Sequence, residues 1–177
     1  SNADTILISP GTYQESINYN GKSIVVQGQN RETTIIDGSN SSGLVTVTEN
    51  SPNSVLSNVT LQNGNSTTGS ALYLDDQSTV FTIRECIIKN NNAVNSTIHI
   101  DNSNIEIYNT LIIDNTSTNS SNSYGAIVTY DNTTLTLTNS TLVGNEKSGL
   151  FSHENSSIHN VNNSIFWNPE ANEEIGR

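Results

Sequence analysis

The sequence predicts an all-β fold: a right-handed single-stranded parallel β-helix, a solenoid of about six coils with three short strands in each. Three observations predict it. Acidic, amide and small-hydroxyl triplets recur five times, as Glu49-Asn50-Ser51, Asp76-Gln77-Ser78, Asp101-Asn102-Ser103, Asp131-Asn132-Thr133 and Glu154-Asn155-Ser156. Each is followed by an asparagine, Asn63, Asn90, Asn115, Asn145 or Asn168, and the separation from the triplet's last member never changes (63−51, 90−78, 115−103, 145−133 and 168−156 all equal 12). The spacing between triplets, by contrast, wanders (78−51 = 27, 103−78 = 25, 133−103 = 30, 156−133 = 23). Fixed spacing inside a repeat with slack confined to a connector describes a coil of constant cross-section and one variable loop.

The elements follow in order along each repeat. A first run precedes the triplet, as in Leu44 to Val47, Ala71 to Leu74, Thr97 to Ile100, Ala126 to Thr129 and Gly149 to Ser152. Its alternation turns Val45 and Val47, Leu72 and Leu74, and Ile98 and Ile100 toward a core. A second run follows the triplet, as in Ile105-Glu106-Ile107 and Leu135-Thr136-Leu137. A third closes the repeat, from Val59 to Leu61, Cys86 to Ile88, Leu111 to Ile113, Leu142 to Val143 and Ile165 to Trp167. Equivalent strands recur only after a full circuit, so each pairs in parallel with its own copy about 4.8 Å away. The asparagine column, with a second column at Asn109, Asn139 and Asn162, reads as stacked amides that bond to their copies and tolerate tight turns.

Composition limits the partners. The 177 residues carry a formal charge of −11 with only six Lys plus Arg, which argues against nucleic acid and anionic membrane surfaces. Hydrophobic content is 32%, low for a packed protein, yet the apolar residues recur on schedule rather than sparsely as in a disordered chain. Cys86 is the single cysteine, so it forms no disulfide within the chain and reads as a small core residue. No apolar run is long enough to span a bilayer. Ser1-Asn2-Ala3 reads as a cloning scar, residues 4–168 as the β-helix and 169–177 as a C-terminal tail or cap, and a longer parent protein is expected.

The opening segment carries a family resemblance. Ile6-Leu7-Ile8-Ser9-Pro10-Gly11-Thr12-Tyr13-Gln14-Glu15, Lys22-Ser23-Ile24-Val25-Val26-Gln27-Gly28 and Thr34-Ile35-Ile36-Asp37-Gly38 resemble the first coil of the pectin lyase-like superfamily. Later stretches, such as Asn139 to Asn145 and Asn163 to Asn168, resemble the repeats of bacterial secreted and surface β-helix proteins. The resemblance covers almost the whole chain and implies the fold, not an activity. Catalytic strings of the relatives are missing: where a pectin methylesterase has its Gln and its Gln-Asp pair, this chain has Gly69-Ser70-Ala71-Leu72 and Lys89-Asn90-Asn91-Asn92.

Candidate functional residues lie on the outward side of the first run. If Ile98 and Ile100 point inward as Leu72 and Leu74 do, the outward residues are Tyr73 and Asp75, His99 and Asp101, Val128 and Tyr130, and Phe151 and His153. Aromatic rings interleaved with carboxylates and imidazoles suit sugars, which stack on rings and bond through hydroxyls. Tyr73, Asp75, His99, Asp101, Tyr130, Phe151 and His153 are therefore the carbohydrate-binding candidates. Stacked carboxylates repel, so Asp75, Asp76, Asp101 and Asp131 are candidate ligands for a Ca²⁺ shared between coils, although acids are also ordinary turn residues. The connector from Thr116 to Tyr124 is long enough to overhang this face. His159 falls in a second run and reads as structural.

The expected function is a non-catalytic bacterial β-helix segment of the extracellular space or cell surface, structural or carbohydrate-binding in the manner of an adhesin, with a polysaccharide or surface glycan as partner. An alternative is a polysaccharide-degrading enzyme, a glycoside hydrolase or Ca²⁺-dependent lyase, with Asp75 and Asp101 on adjacent coils as its carboxylates and His99 beside them. A further alternative is a scaffold without a ligand.

Overall fold

The computed structural model describes residues 4–48, 50–75, 79–120, 124–153, 157–171 and 173–176. Of the triplets, Glu49, Asp76-Gln77-Ser78 and Glu154-Asn155-Ser156 lie outside the described residues, as does Ser1-Asn2-Ala3. The described chain is all-β and forms a parallel solenoid of about six turns, built from three seven-stranded sheets. The first sheet stacks Asp4–Ile8, Ile24–Gly28, Val55–Ser57, Val80–Arg84, Asn104–Tyr108, Thr134–Thr138 and Ile158–Asn162. The second stacks Gly11–Tyr13, Thr34–Asp37, Thr60–Gln62, Ile87–Lys89, Leu111–Ile113, Thr141–Val143 and Ile165–Trp167. The third, which carries the predicted site, stacks Ile17–Asn18, Val45–Val47, Leu72–Asp75, Ser96–Asp101, Gly125–Thr129, Ser148–Ser152 and Ile175–Gly176.

The apolar runs face one another across the coil. Leu72 pairs with Ile98 and Leu74 with Ile100, and all four are fully buried, as are Val47, Leu56, Ile83, Ile107, Leu61, Ile88, Ile112 and Leu142 from the three walls. Each such side chain contributes about 1.5–3 kcal/mol on leaving water, and the contributions recur once per wall per coil. Tyr19, just past the strand Ile17–Asn18, fills the core at that end of the solenoid, its ring edge-on to Phe81 at 5.1 Å and its hydroxyl donating to the Val55 carbonyl at 2.9 Å. Cys86 is fully buried, and burial pushes its thiol up to about 12, so it packs as a small apolar group.

The slack lies between the second and third sheets. From the buried asparagine to the next inward residue the separation is largest in one coil (Asn115 to Ile127, 127−115 = 12), smaller in another (Asn91 to Ile98, 98−91 = 7) and smallest in a third (Asn145 to Leu150, 150−145 = 5). Here the short strands Asn65–Ser66, Asn92–Ala93 and Thr116–Ser117 form a fourth, small sheet.

The amide ladder differs from the predicted column in its upper rungs. Its members are Asn91, Asn115, Asn145 and Asn168, all buried. The Oδ1 of Asn115 accepts from the backbone and side-chain amides of Asn91, both at 3.0 Å, and the same pattern links Asn115 to Asn145 (3.1 and 2.9 Å) and Asn145 to Asn168 (2.8 and 3.0 Å). Each Nδ2 of the first three also donates inward to a strand carbonyl, Leu61, Ile88 or Ile112. At the top the Gly64 amide donates to Asn91 Oδ1 at 2.8 Å, and a Cβ at Gly64 would run into the Ser70 carbonyl, so no side chain fits. At the bottom Glu174 takes over, its carboxylate accepting from both amides of Asn168 at 2.7 Å.

Asn63 and Asn90 are thus not rungs of this ladder. They occupy the preceding turn position, with φ of 54° and 52°, alongside Asp114 (53°) and Gly144 (64°). Asn63 donates instead to the Asp37 carboxylate at 3.0 Å. That carboxyl is lowered: burial raises it, and the bonds from Gln62, the Ser39 amide and Asn63 outweigh the burial. The second column runs through Asn58, Glu85, Asn109, Asn139 and Asn163, all with positive φ; Asn162 lies just short of it, inside its strand.

The two positions separate cleanly by mutation. Asn91→Ala strands buried partners at Gly64, Leu61 and Asn115, with an expected loss of about 3 kcal/mol. Exposed Asn90→Ala meets only the left-handed backbone penalty, about 1 kcal/mol. Urea unfolding of both variants checks this, and equal losses would put the ladder at Asn90.

Candidate functional site: a ladder of rings and acids on the third sheet

Alternation on the third sheet places the predicted outward residues in two parallel rows. Register pairs Tyr73 with His99, His99 with Val128 and Val128 with Phe151. Asp75 pairs with Asp101, and Tyr130 and His153 continue that row, their amides donating to the Ile100 carbonyl (2.8 Å) and the Thr129 carbonyl (3.0 Å). The turn after Ser96–Asp101 is shorter than its neighbours (Ile100 to Asn104, 104−100 = 4, against 80−74 = 6 and 134−129 = 5), and with Ile98 and Ile100 buried inward, His99 and Asp101 fall together on the outward side.

Rings lean across the two rows to make one stack. Tyr73 lies on His99 with centroids 4.8 Å apart and planes within 4°. His99 meets Tyr130 at 4.7 Å and 44°, and Tyr130 stacks on His153 at 4.6 Å and 8°. Phe151 stands edge-on to His153 at 5.1 Å, and Tyr124, at the end of the long connector, reaches His153 at 5.1 Å. Offset and tilted ring contacts of this kind stabilise by about 0.5–1.5 kcal/mol each beyond the area they bury.

Stacking closes the surface. His99 is 7% exposed, Phe151 5% and Val128 fully covered, whereas Tyr73, Asp75, Asp101, Tyr130 and His153 are half-buried. The strand Ile175–Gly176 runs beside Leu150 and Phe151 and helps to cover them. The connector supplies Tyr124 to the end of the stack; its residues 121–123 lie outside the described residues. Tyr124 was not among the expected site residues, although its place just before Gly125–Thr129 is the signal that could have found it.

Burial sets the protonation states. His99 is depressed to about 4, by burial first and by His153 second, and its Nδ1 is buried with no hydrogen-bond partner among the described residues. The ring is neutral at pH 7. Asp101 is raised by burial, then by the charges of Asp75 and Asp131, against the Asn102 amide bond. Tyr73 is raised by burial, by Asp75 and Asp101 and by its bond to Asp75 at 3.5 Å. Tyr130 is pushed up to about 12 by burial, Tyr124 and Asp101.

As chemistry, the arrangement offers one carboxyl, Asp101, that holds its proton more tightly than usual, next to a second, Asp75, one strand away. The imidazole between Tyr73 and Tyr130 has little freedom to turn toward a substrate. Among the described residues no three of His, Cys, Asp and Glu gather in a way that would hold a metal ion. Of the four acids expected to share Ca²⁺, Asp75 and Asp101 are register partners, Asp131 is exposed one turn further on, and Asp76 lies outside the described residues. His159 points inward in the last coil, in the column of Ile105 and Leu135, with its Nε2 2.8 Å from the Thr129 hydroxyl. No described helix is long and apolar enough to cross a membrane.

The chain matches no protein-family model, and no match is found for it among curated proteins.

The depressed imidazole gives a signed pH dependence. A histidine whose folded value lies near 4, below its ordinary 6.5, disfavours protonation in the folded state, so its contribution is complete above pH 6.5 and is lost as pH falls toward 4. Asp101 acts in the opposite sense, since a raised carboxyl adds stability as it protonates. Thermal unfolding between pH 7 and pH 4 should show a falling stability that flattens in His99→Phe, which keeps a ring in the stack and removes the titration. An unchanged slope in that variant would remove His99 as the cause.

Proposed function

We propose that this chain is a non-catalytic, extracellular or cell-surface β-solenoid segment whose first task is structural: a stiff rod with a self-satisfied surface. One observation carries the reading. The outward rings of the third sheet use their faces on one another, Tyr73 on His99 and Tyr130 on His153, which is how a stack behaves as a spine and not as a row of open sugar platforms. The resemblance of Thr5 to Gly38 to the opening coil of pectin lyase-like proteins supports the extracellular setting, and the −11 charge suits a soluble surface in water.

A second reading, carbohydrate recognition along the edge of the spine, is favoured by the half-exposure of Tyr73, Asp75, Asp101 and Tyr130 together. Their hydroxyl and carboxylate edges are the groups that remain to meet a glycan. The enzyme alternative draws support only from the adjacency of Asp75 and Asp101. It is weakened by the near-complete cover over His99.

The two carboxylates decide between the structural and the enzymatic readings. In a structural segment, Asp101→Asn relieves the repulsion from Asp75 and Asp131 and raises stability at pH 7, by about 0.5 kcal/mol for a half-exposed group. The expected assay result is no reducing sugar and no unsaturated product from plant or bacterial polysaccharides, in calcium or in chelator. Turnover that disappears in Asp75→Asn or Asp101→Asn would establish the enzyme instead.

A further inference from the structure

The first sheet carries a second surface, one wall away from the ring stack and made of different chemistry. Its outward column places Arg84 beside Tyr108 in register, with Ser57, which is fully covered, before and Thr138 after them. The turn that follows holds the column Asn58, Glu85, Asn109, Asn139 and Asn163. Two open depressions meet here. One, of about 420 Å³, is lined by Arg31, Asn58, Glu85 and Asn109 among others, and the next, of about 460 Å³, by Arg84, Glu85, Tyr108 and Asn109 among others. Glu85 and Asn109 line both, so the two depressions adjoin along these residues as one trough-like stretch of surface, each part of a size that suits small ligands.

Glu85 is the anomaly in this column. Every other described member is an asparagine, the residue that best tolerates left-handed backbone, whereas Glu85 adopts φ of 56° with a longer side chain that gains nothing from that conformation. Its carboxylate accepts from Asn58 Nδ2 at 3.3 Å, and its amide donates to the Tyr108 carbonyl at 3.0 Å. The coil imposes the left-handed backbone at this position in every repeat, but it does not call for a glutamate there, so the choice of residue points to a demand from outside the fold. The cations make a second anomaly. In a chain of −11 with six basic residues, Arg31 and Arg84 both border this trough, Arg31 held by the Asn109 carbonyl at 3.3 Å and by Glu32 at 3.4 Å. Tyr108, unlike the tyrosines of the third sheet, stacks on no other ring among the described residues.

We propose that this trough binds a neutral oligosaccharide, with Tyr108 beneath a sugar ring and Arg84, Glu85, Asn58, Asn109 and Arg31 bonding to its hydroxyls. Vicinal hydroxyls donate and accept in pairs, and carboxylate, carboxamide and guanidinium groups are the side chains that meet them two at a time. The apolar face of a pyranose needs an uncovered ring. The charges choose neutral over anionic sugar. Glu32 and Glu85 line the trough and Glu106, bonded to Tyr108, stands beside it, three carboxylates against two guanidinium groups, so a uronate would meet net repulsion. This goes beyond the structural rod and does not depend on the ring stack.

The test is a microarray of neutral oligosaccharides (gluco-, manno-, xylo- and galacto-series) together with uronate-containing ones, probed with the intact chain, and calorimetry on the strongest binder. The expected result is a neutral binder weakened at least tenfold by Tyr108→Ala and by Arg84→Ala. Glu85→Asn restores the column residue, so it should weaken binding by a similar factor while raising the melting temperature by about 2 °C, a combination that damage to the fold does not produce. Binding lost in Tyr73→Ala but kept in Tyr108→Ala would overturn this site and support recognition at the ring stack. A preference for uronates, or silence across the array, would also overturn it, and silence would leave the structural rod standing.

Discussion

Every coil of this protein sits about 4.8 Å above the last, because the backbone hydrogen bonds that hold the sheets together run between coils and fix that distance. Whatever occupies a given position therefore lies against its own copy. Apolar side chains profit, and the interior is a set of columns of Leu, Ile and Val. Polar side chains must either bond to their copies or be moved aside. A carboxamide is the one polar group that both donates and accepts along such a column without a change of charge, which is why Asn91, Asn115, Asn145 and Asn168 can be buried with every amide in use.

The same spacing governs the outer wall. Aromatic rings one coil apart fall within stacking distance, so Tyr73 and His99, and Tyr130 and His153, pair as the amides do, by contact with a neighbour above and below. Carboxylates at the same spacing have no such solution. Asp75 and Asp101 face each other across one step, and Asp101 is held above the ordinary carboxylate range by burial and by the charges of its neighbours. The ring stack also explains the state of His99, whose burial between tyrosines keeps it neutral.

Much of this was legible in the sequence. Parallel coils, three strands per coil, the inward pairs Leu72/Leu74 and Ile98/Ile100, and the two outward rows of Tyr73, Asp75, His99, Asp101, Tyr130 and His153 follow from alternation and spacing alone. The ladder was misplaced in its upper rungs for a local reason. Within Asn90-Asn91-Asn92 the constant separation lands on an asparagine whichever register is chosen, and the register in that repeat begins one position later than its triplet suggests, at Thr79 rather than Ser78, since Val80 pairs with Asn104. At Gly64 the fold dispenses with the side chain altogether. Closure of the outward face was beyond reach because it depends on how rings lean between rows and on where Tyr124 and the strand Ile175–Gly176 come to rest. These are contacts between segments whose separation varies from coil to coil.

In a solenoid the repeat supplies its own control, so departures from a column carry the information. His159 in a column of Leu and Ile is matched by Thr129, whose hydroxyl lies 2.8 Å away, and Glu174 at the foot of the amide ladder is matched by both amides of Asn168. Each of these substitutions has a partner inside the fold that accounts for it. Among the described residues the Glu85 carboxylate has one partner, Asn58 at 3.3 Å, a bond that an asparagine at the same place could also accept without the backbone penalty of a longer chain. Its charge is therefore not explained by the coil. It lies where two depressions adjoin, between two of the chain's few arginines and beside Tyr108, which stacks on no ring among the described residues. A solenoid that can absorb any residue into a column leaves visible only those residues whose reason lies outside it.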